Sequence, residues 1–172
     1  FADQSRTNEA ERQYDEAIAI QTALALEASD ENRIQYQIDL GRSHMNRGII
    51  RKNKREWNKS RKDYEAAEQL LTRVSAEPPQ TTAQLRESRV LLAKVLLNRG
   101  VLLRERYMAE QNKDFLDDAT AAFRGAIATL TIAPGKGRRP GLHASMHDGL
   151  DLAKYRNNLA VALLTGLDQL LD

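Results

Sequence analysis

Three times in this chain a basic residue is followed, four positions later, by asparagine: Arg42 and Asn46, Lys94 and Asn98, Lys154 and Asn158. On a helix that spacing puts both side chains on one face. An amide so placed can accept from the N–H of a bound peptide and donate to its C=O, reading backbone without demanding a sequence. A cation beside it favours an acidic side chain or a terminal carboxylate. A plainer reading stands next to this one. The asparagines would relieve crowding near glycine, and the cations would belong to a solvated helix face.

Other groupings carry less. His143, His147 and Asp151 have the helical spacing that a metal site needs. No glutamate stands between the histidines, and the chain has no cysteine, so helix-start aspartates and surface histidines account for them. No metal or cofactor is expected. The stretch "RKNKREWNKSRK", 51 to 62, is basic, and Trp57 within it could stack on a base. The formal net charge of the whole chain is only +2, so nucleic-acid binding is the lesser alternative. "GKGRRPG", 135 to 141, lacks the spacing and the Ser/Thr of a phosphate-binding loop. Asp117 and Asp118 are adjacent and point apart on a helix, so they cannot form an acid/base couple. With no nucleophile, base and orienting group in sight, the chain reads as non-enzymatic.

The elements that hold these residues are helices almost throughout. Only four prolines interrupt 172 residues, and Ala, Leu, Glu, Arg, Lys and Gln dominate between them. Phe115, Ala119, Ala122, Phe123, Ala126, Ile127 and Leu130 recur at helical spacing. Ser29-Asp30 reads as a break followed by an N-cap, and Thr81-Thr82 as another start. Helices are expected over roughly 5–28, 31–53, 55–75, 81–111, 113–131 and 143–170. The clearest loop is "TIAPGKGRRPG", 131 to 141. No apolar run approaches the ~20 residues that span a bilayer, so no membrane insertion is expected. The chain begins at Phe1 and shows no signal peptide, and it reads as a fragment of a larger protein. The whole of 1–172 is expected to form one helical domain.

Two patterns repeat along it. Ala10, Tyr14 and Ala17, then Ser60, Tyr64 and Ala67, then Ala119, Phe123 and Ala126 each give small, aromatic, small on one helical face. The helices between them carry Asn46-Arg47-Gly48, Asn98-Arg99-Gly100 and Asn158-Leu159-Ala160. Glycine in mid-helix costs up to ~1 kcal/mol, which makes sense where a second helix must come close. The phrase is a helix-contact motif, and the fold is a stack of helix pairs.

Asparagine, aliphatic, then Gly or Ala, followed by a helix bearing the small-aromatic-small trio, resembles the tetratricopeptide repeat. "YQIDLGRSHMNRGIIRKNKREWNKSRKDYEAAEQLL" looks like one long-form repeat, and "YRNNLAVALLTG" is a short match. The style is similar to arrays attached to large bacterial serine/threonine protein kinases of the planctomycete type. Arg47 and Arg99 depart from it, standing where the family prefers leucine. The resemblance implies an all-α right-handed superhelix of about six helices in antiparallel pairs. It also implies a concave surface that holds a peptide or a partner's helix. The three Arg/Lys–Asn pairs would then align as a ladder taking a protein or peptide partner of acidic character. Alternatives are a structural module that self-associates into homo-oligomers, or the nucleic-acid reading through 51 to 62.

Overall fold

The computed structural model describes residues 2–76, 81–131, 153, 156–158 and 160–161. Five helices run through them: α1 (Ala2–Glu27), α2 (Asp30–Asn53), α3 (Trp57–Ala76), α4 (Thr82–Glu110) and α5 (Lys113–Thr131). Residues 153, 156–158 and 160–161, inside the expected sixth helix, are helical as well. The remainder of that expected helix lies outside the described residues, with Lys154, His143, His147, Asp151 and the expected loop after Thr131. No strand occurs among the described residues, and none of their helices is long and apolar enough to cross a membrane. The chain divides into two compact units, Phe1–Val95 and Leu96–Asp172.

Local chemistry sets the helix ends. At the start of α4, Thr81 Oγ1 accepts from the Gln84 backbone N–H at 3.1 Å, and Gln84 Oε1 accepts from the Thr81 N–H at 3.1 Å. This reciprocal pair is a capping box, and it satisfies two amides that the first turn would otherwise leave open. Ser29 rather than Asp30 takes the N-cap position of α2, without a side-chain cap bond. α2 stops because Arg55 turns left-handed, with φ 59°. The Arg55 N–H then donates to the Lys52 carbonyl at 2.8 Å and the Glu56 N–H to the Arg51 carbonyl at 2.9 Å. This closing pattern normally uses glycine, because a Cβ is penalised in that conformation. It moves the start of α3 from the expected 55 to Trp57. Arg55→Gly should therefore stabilise the chain by about 0.5–1 kcal/mol, seen as a rise of a few degrees in Tm.

In the first unit the core lies between α2 and α3. Tyr64, Ala67 and Leu71 of α3 are wholly buried, with Ile38 of α2 beneath them. The contact is close because Gly48 has no side chain: a Cβ there would sit 2.7 Å from Tyr64 Cε1. Ser60 completes the joint by donating its Oγ–H to the Gly48 carbonyl at 2.7 Å, inside the core. At the far end of α3, Ser75 Oγ meets the buried Ser88 Oγ of α4 at 3.1 Å. α1 packs on α2, but its trio of Ala10, Tyr14 and Ala17 is only half-buried.

The second unit repeats the joint. A Cβ on Gly100 of α4 would lie 2.5 Å from Phe123 Cε1 of α5. Ala119, Phe123 and Ala126 are wholly buried, as Ser60, Tyr64 and Ala67 are in the first unit. Of the expected apolar stripe of α5, Phe115, Ile127 and Leu130 remain half-buried, while Leu116 joins the core instead. Asn-Arg-Gly is written twice because each glycine receives the aromatic ring of the next helix. In the third phrase Ala160, at the glycine position, is exposed.

Candidate interaction surface

Asparagine stands two residues before each of these glycines. Two residues turn an α-helix by ~200°, so the amide leaves on the side opposite the aromatic joint. Asn46 and Asn98 are accordingly half-buried, and their side chains make no hydrogen bond among the described residues. Asn158 is half-buried too. The cations differ from one another. Lys94 is exposed and has no carboxylate partner among the described residues. Arg42 is tied, by one nitrogen to Asp39 at 2.5 Å and by another to Glu87 of α4. Lys154 is not among the described residues. The α2 stripe thus offers a free amide beside a neutralised arginine, whereas α4 offers a free lysine one turn from a free amide.

That stripe runs on through Ile50 and Asn53, four and seven residues after Asn46. There it borders an open groove of about 770 Å³, whose other wall is Gln4, Thr7 and Ala10 of α1. Exposed Arg6 stands at the same groove. Its lining combines the amides of Gln4 and Asn53, the Thr7 hydroxyl and apolar Ala10 and Ile50 with two cations, Arg6 and Lys54, the latter held by Glu11.

The largest electrostatic feature was not legible as a site. Asp63 of α3 is 2% exposed, yet it is ionised among cations. Arg47 donates to it from Nη2 at 2.5 Å and from Nε at 3.1 Å, Arg51 from Nη1 at 3.0 Å, and His44 Nδ1 lies 3.4 Å away. The same arginines reach α1: Arg47 pairs with Asp15 at 2.7 Å and Arg51 with Glu11 at 2.8 Å. Lys54 also pairs with Glu11, at 2.6 Å. Burial is the strongest single influence on the Asp63 carboxyl and works to raise its pKa. Hydrogen bonds from His44 and Arg47, with the charges of Arg47 and Arg51, outweigh it and hold the group below its ordinary value. Glu11 is held low chiefly by its hydrogen bond from Lys54. For Arg47 burial again opposes the charge, and the bonds to Asp63 and Asp15 raise its pKa in spite of it.

So Arg47, at the position where leucine was expected from the resemblance, packs through ions instead of through methyl groups. Asp63 spends its lone pairs on two guanidiniums and an imidazole, and nothing in that arrangement leaves it free to take a proton from a ligand. The signal was present as two spacings of four, Glu11–Asp15 and Arg47–Arg51. It becomes meaningful only when two helices are laid side by side. In the second unit Ala122 precedes Phe123 where Asp63 precedes Tyr64, so this cluster is not repeated there.

The basic stretch 51 to 62 is largely consumed by carboxylates. Arg51 and Lys54 hold Glu11, Lys59 holds Glu56 at 2.9 Å, and Arg61 holds Glu65 at 3.2 Å. Trp57 is half-buried at the start of α3. Little of that charge is left over for phosphates. Among the described residues no group of His, Asp and Glu is placed to hold a metal ion.

Compared with known proteins, the chain matches no family model, no curated protein and no solved structure.

Proposed function

We propose that this chain is a non-enzymatic protein-interaction module, a tetratricopeptide-like array that holds a peptide or a partner's helix along its Asn-bearing helices. A right-handed superhelical stack of helix pairs is part of the proposal. One observation carries it. In both Asn-Arg-Gly phrases the glycine is committed to an aromatic joint, while the asparagine is turned ~200° away and left without a hydrogen bond. Half-buried amides without partners are poor for stability and useful for binding, since a ligand's backbone can satisfy them. The repeated basic-x3-Asn spacing gives the same face its cations. Because Arg42 is already neutralised by Asp39 and Glu87, preference for acidic ligands rests mainly on Lys94 in the described part of the face.

The test is a peptide array probed with the labelled chain, followed by titration of the peptides retained. Replacing Asn46, Asn98 and Asn158 together by alanine should abolish retention, with helicity and Tm nearly unchanged, since each amide is expected to contribute ~1 kcal/mol. Lys94→Glu should weaken acidic peptides selectively. A triple variant that unfolds would make the asparagines structural. One that folds and still binds would put the surface elsewhere.

A further inference from the structure

Among the described side chains of α1, from Gln4 onward, none is fully buried. Ile20 is 61% and Leu26 82% exposed, and the apolar stripe that faces inward, Ala10, Tyr14, Ala17, Ile18 and Ala25, is only half-buried. What ties it down is charge. Glu11 lies between Arg51 and Lys54 of α2 at 2.8 and 2.6 Å, and Asp15 meets Arg47 at 2.7 Å and Arg51 at 3.7 Å. Arg47 and Arg51 are in turn anchored from the opposite side by buried Asp63 of α3. The arginines therefore stay in place whether or not α1 is present. α2 and α3, by contrast, share wholly buried Ile38, Tyr64, Leu71 and Ala67.

We propose that α1 is a charge-latched strap, able to leave α2 and α3 as a unit while those two helices remain folded, and that ionic strength sets how often it does so. Regions with few buried contacts open at lower free energy than the core they cover. A latch made of these four carboxylate–cation contacts weakens when salt shortens the screening length to ~3 Å near 1 M. Once open, α1 loses the tertiary packing that supplies most of a protein helix's stability, and it frays. Opening also removes Gln4, Thr7 and Ala10, one wall of the groove beside Ile50 and Asn53. Salt would thereby govern the shape of that groove. This inference stands on the contacts of α1 and is independent of the proposed function.

Hydrogen–deuterium exchange of the full 172-residue chain tests it, read by mass spectrometry at ~0.05 M and ~1 M NaCl. Peptides from 2–27 should exchange on the order of tenfold faster at high salt, and those from 57–76 at an unchanged rate. Glu11→Gln with Asp15→Asn should raise exchange over 2–27 to the high-salt level already at low salt, and abolish the further response. Glu9→Gln with Arg12→Gln, which removes an exposed pair within α1, should change nothing. Exchange over 2–27 that ignores salt would overturn the proposal, since the half-buried apolar stripe would then be what holds α1. So would joint loss of protection over 2–27 and 57–76, in salt or in the double variant, because α1 would then not be separable.

Discussion

Asp63→Ala should lower the stability of the chain by about 3 kcal/mol, measured by urea denaturation followed at the helix signal. The removed carboxylate is nearly inaccessible to water and answers two guanidiniums, those of Arg47 and Arg51. Their side chains are only 15% and 16% exposed, so neither can recover its hydration without moving. Glu11 and Asp15 still face them in the variant, which keeps the loss at the lower end for a broken buried pair. Asp63 also sets an acid limit. Its folded pKa, like that of Glu11, is depressed, whereas an unfolded aspartate titrates near ~4. Depression means the unfolded chain binds the proton first, so this stabilisation is complete above ~4 and disappears as pH falls through the folded value. Asp63→Asn should make the urea midpoint less sensitive to pH below ~4. An unchanged acid transition in that variant would assign the limit to other carboxylates.

Gly100→Val should cost about 3 kcal/mol, near the upper end for overpacking, because the ring it meets has nowhere to go. Phe123 is wholly buried between Ala119 and Ala126 on its own helix, and a Cβ on Gly100 would lie 2.5 Å from Cε1 and 2.7 Å from Cδ1. Glycine is less favourable than alanine in a helix by up to ~1 kcal/mol, and β-branched valine recovers only part of that before the clash is counted. Gly125 shows the balance reversed. Its added Cβ meets only Leu96 Cδ1 at 3.4 Å, and Gly125→Ala should stabilise by up to ~1 kcal/mol. Combining Gly100→Val with Phe123→Ala should lose less than the sum of the two, with a coupling of ~1–2 kcal/mol from urea midpoints. Additive losses would show that the glycine and the ring do not share one space.

The helices were legible because little in this chain competes with them. Few prolines, long-chain residues and a Thr81/Gln84 capping box all agree, and α4 begins where that box places it. The trios were legible too, since small and aromatic types at spacings of four and three leave only one face for the partner. Arg55 was not. Its left-handed turn is chosen by the joint between α2 and α3 rather than by its own preference, so sequence pattern alone starts α3 two residues early. The status of Arg42 was hidden for a related reason. Asp39 is a helical neighbour, but Glu87 comes from forty-five residues away, and no spacing within one helix announces it. The Asp63 cluster needs three helices at once. A lone aspartate before Tyr64 looks like a solvated charge until both arginines are seen above it.

The two-residue offset between asparagine and glycine has a consequence for how such a chain can diversify. If the proposed surface is the one used, recognition and assembly are written in the same three-letter phrase yet answer to different selective demands. Under the proposed function, drift at positions 42, 46, 94 and 98 would alter what is recognised, while 48 with 64 and 100 with 123 would have to change in matched pairs. A combinatorial library randomised only at the first set should yield mostly foldable members with altered ligand preferences. On that reading, duplicated copies of such a gene would inherit the same freedom and could change ligand without first rebuilding the scaffold.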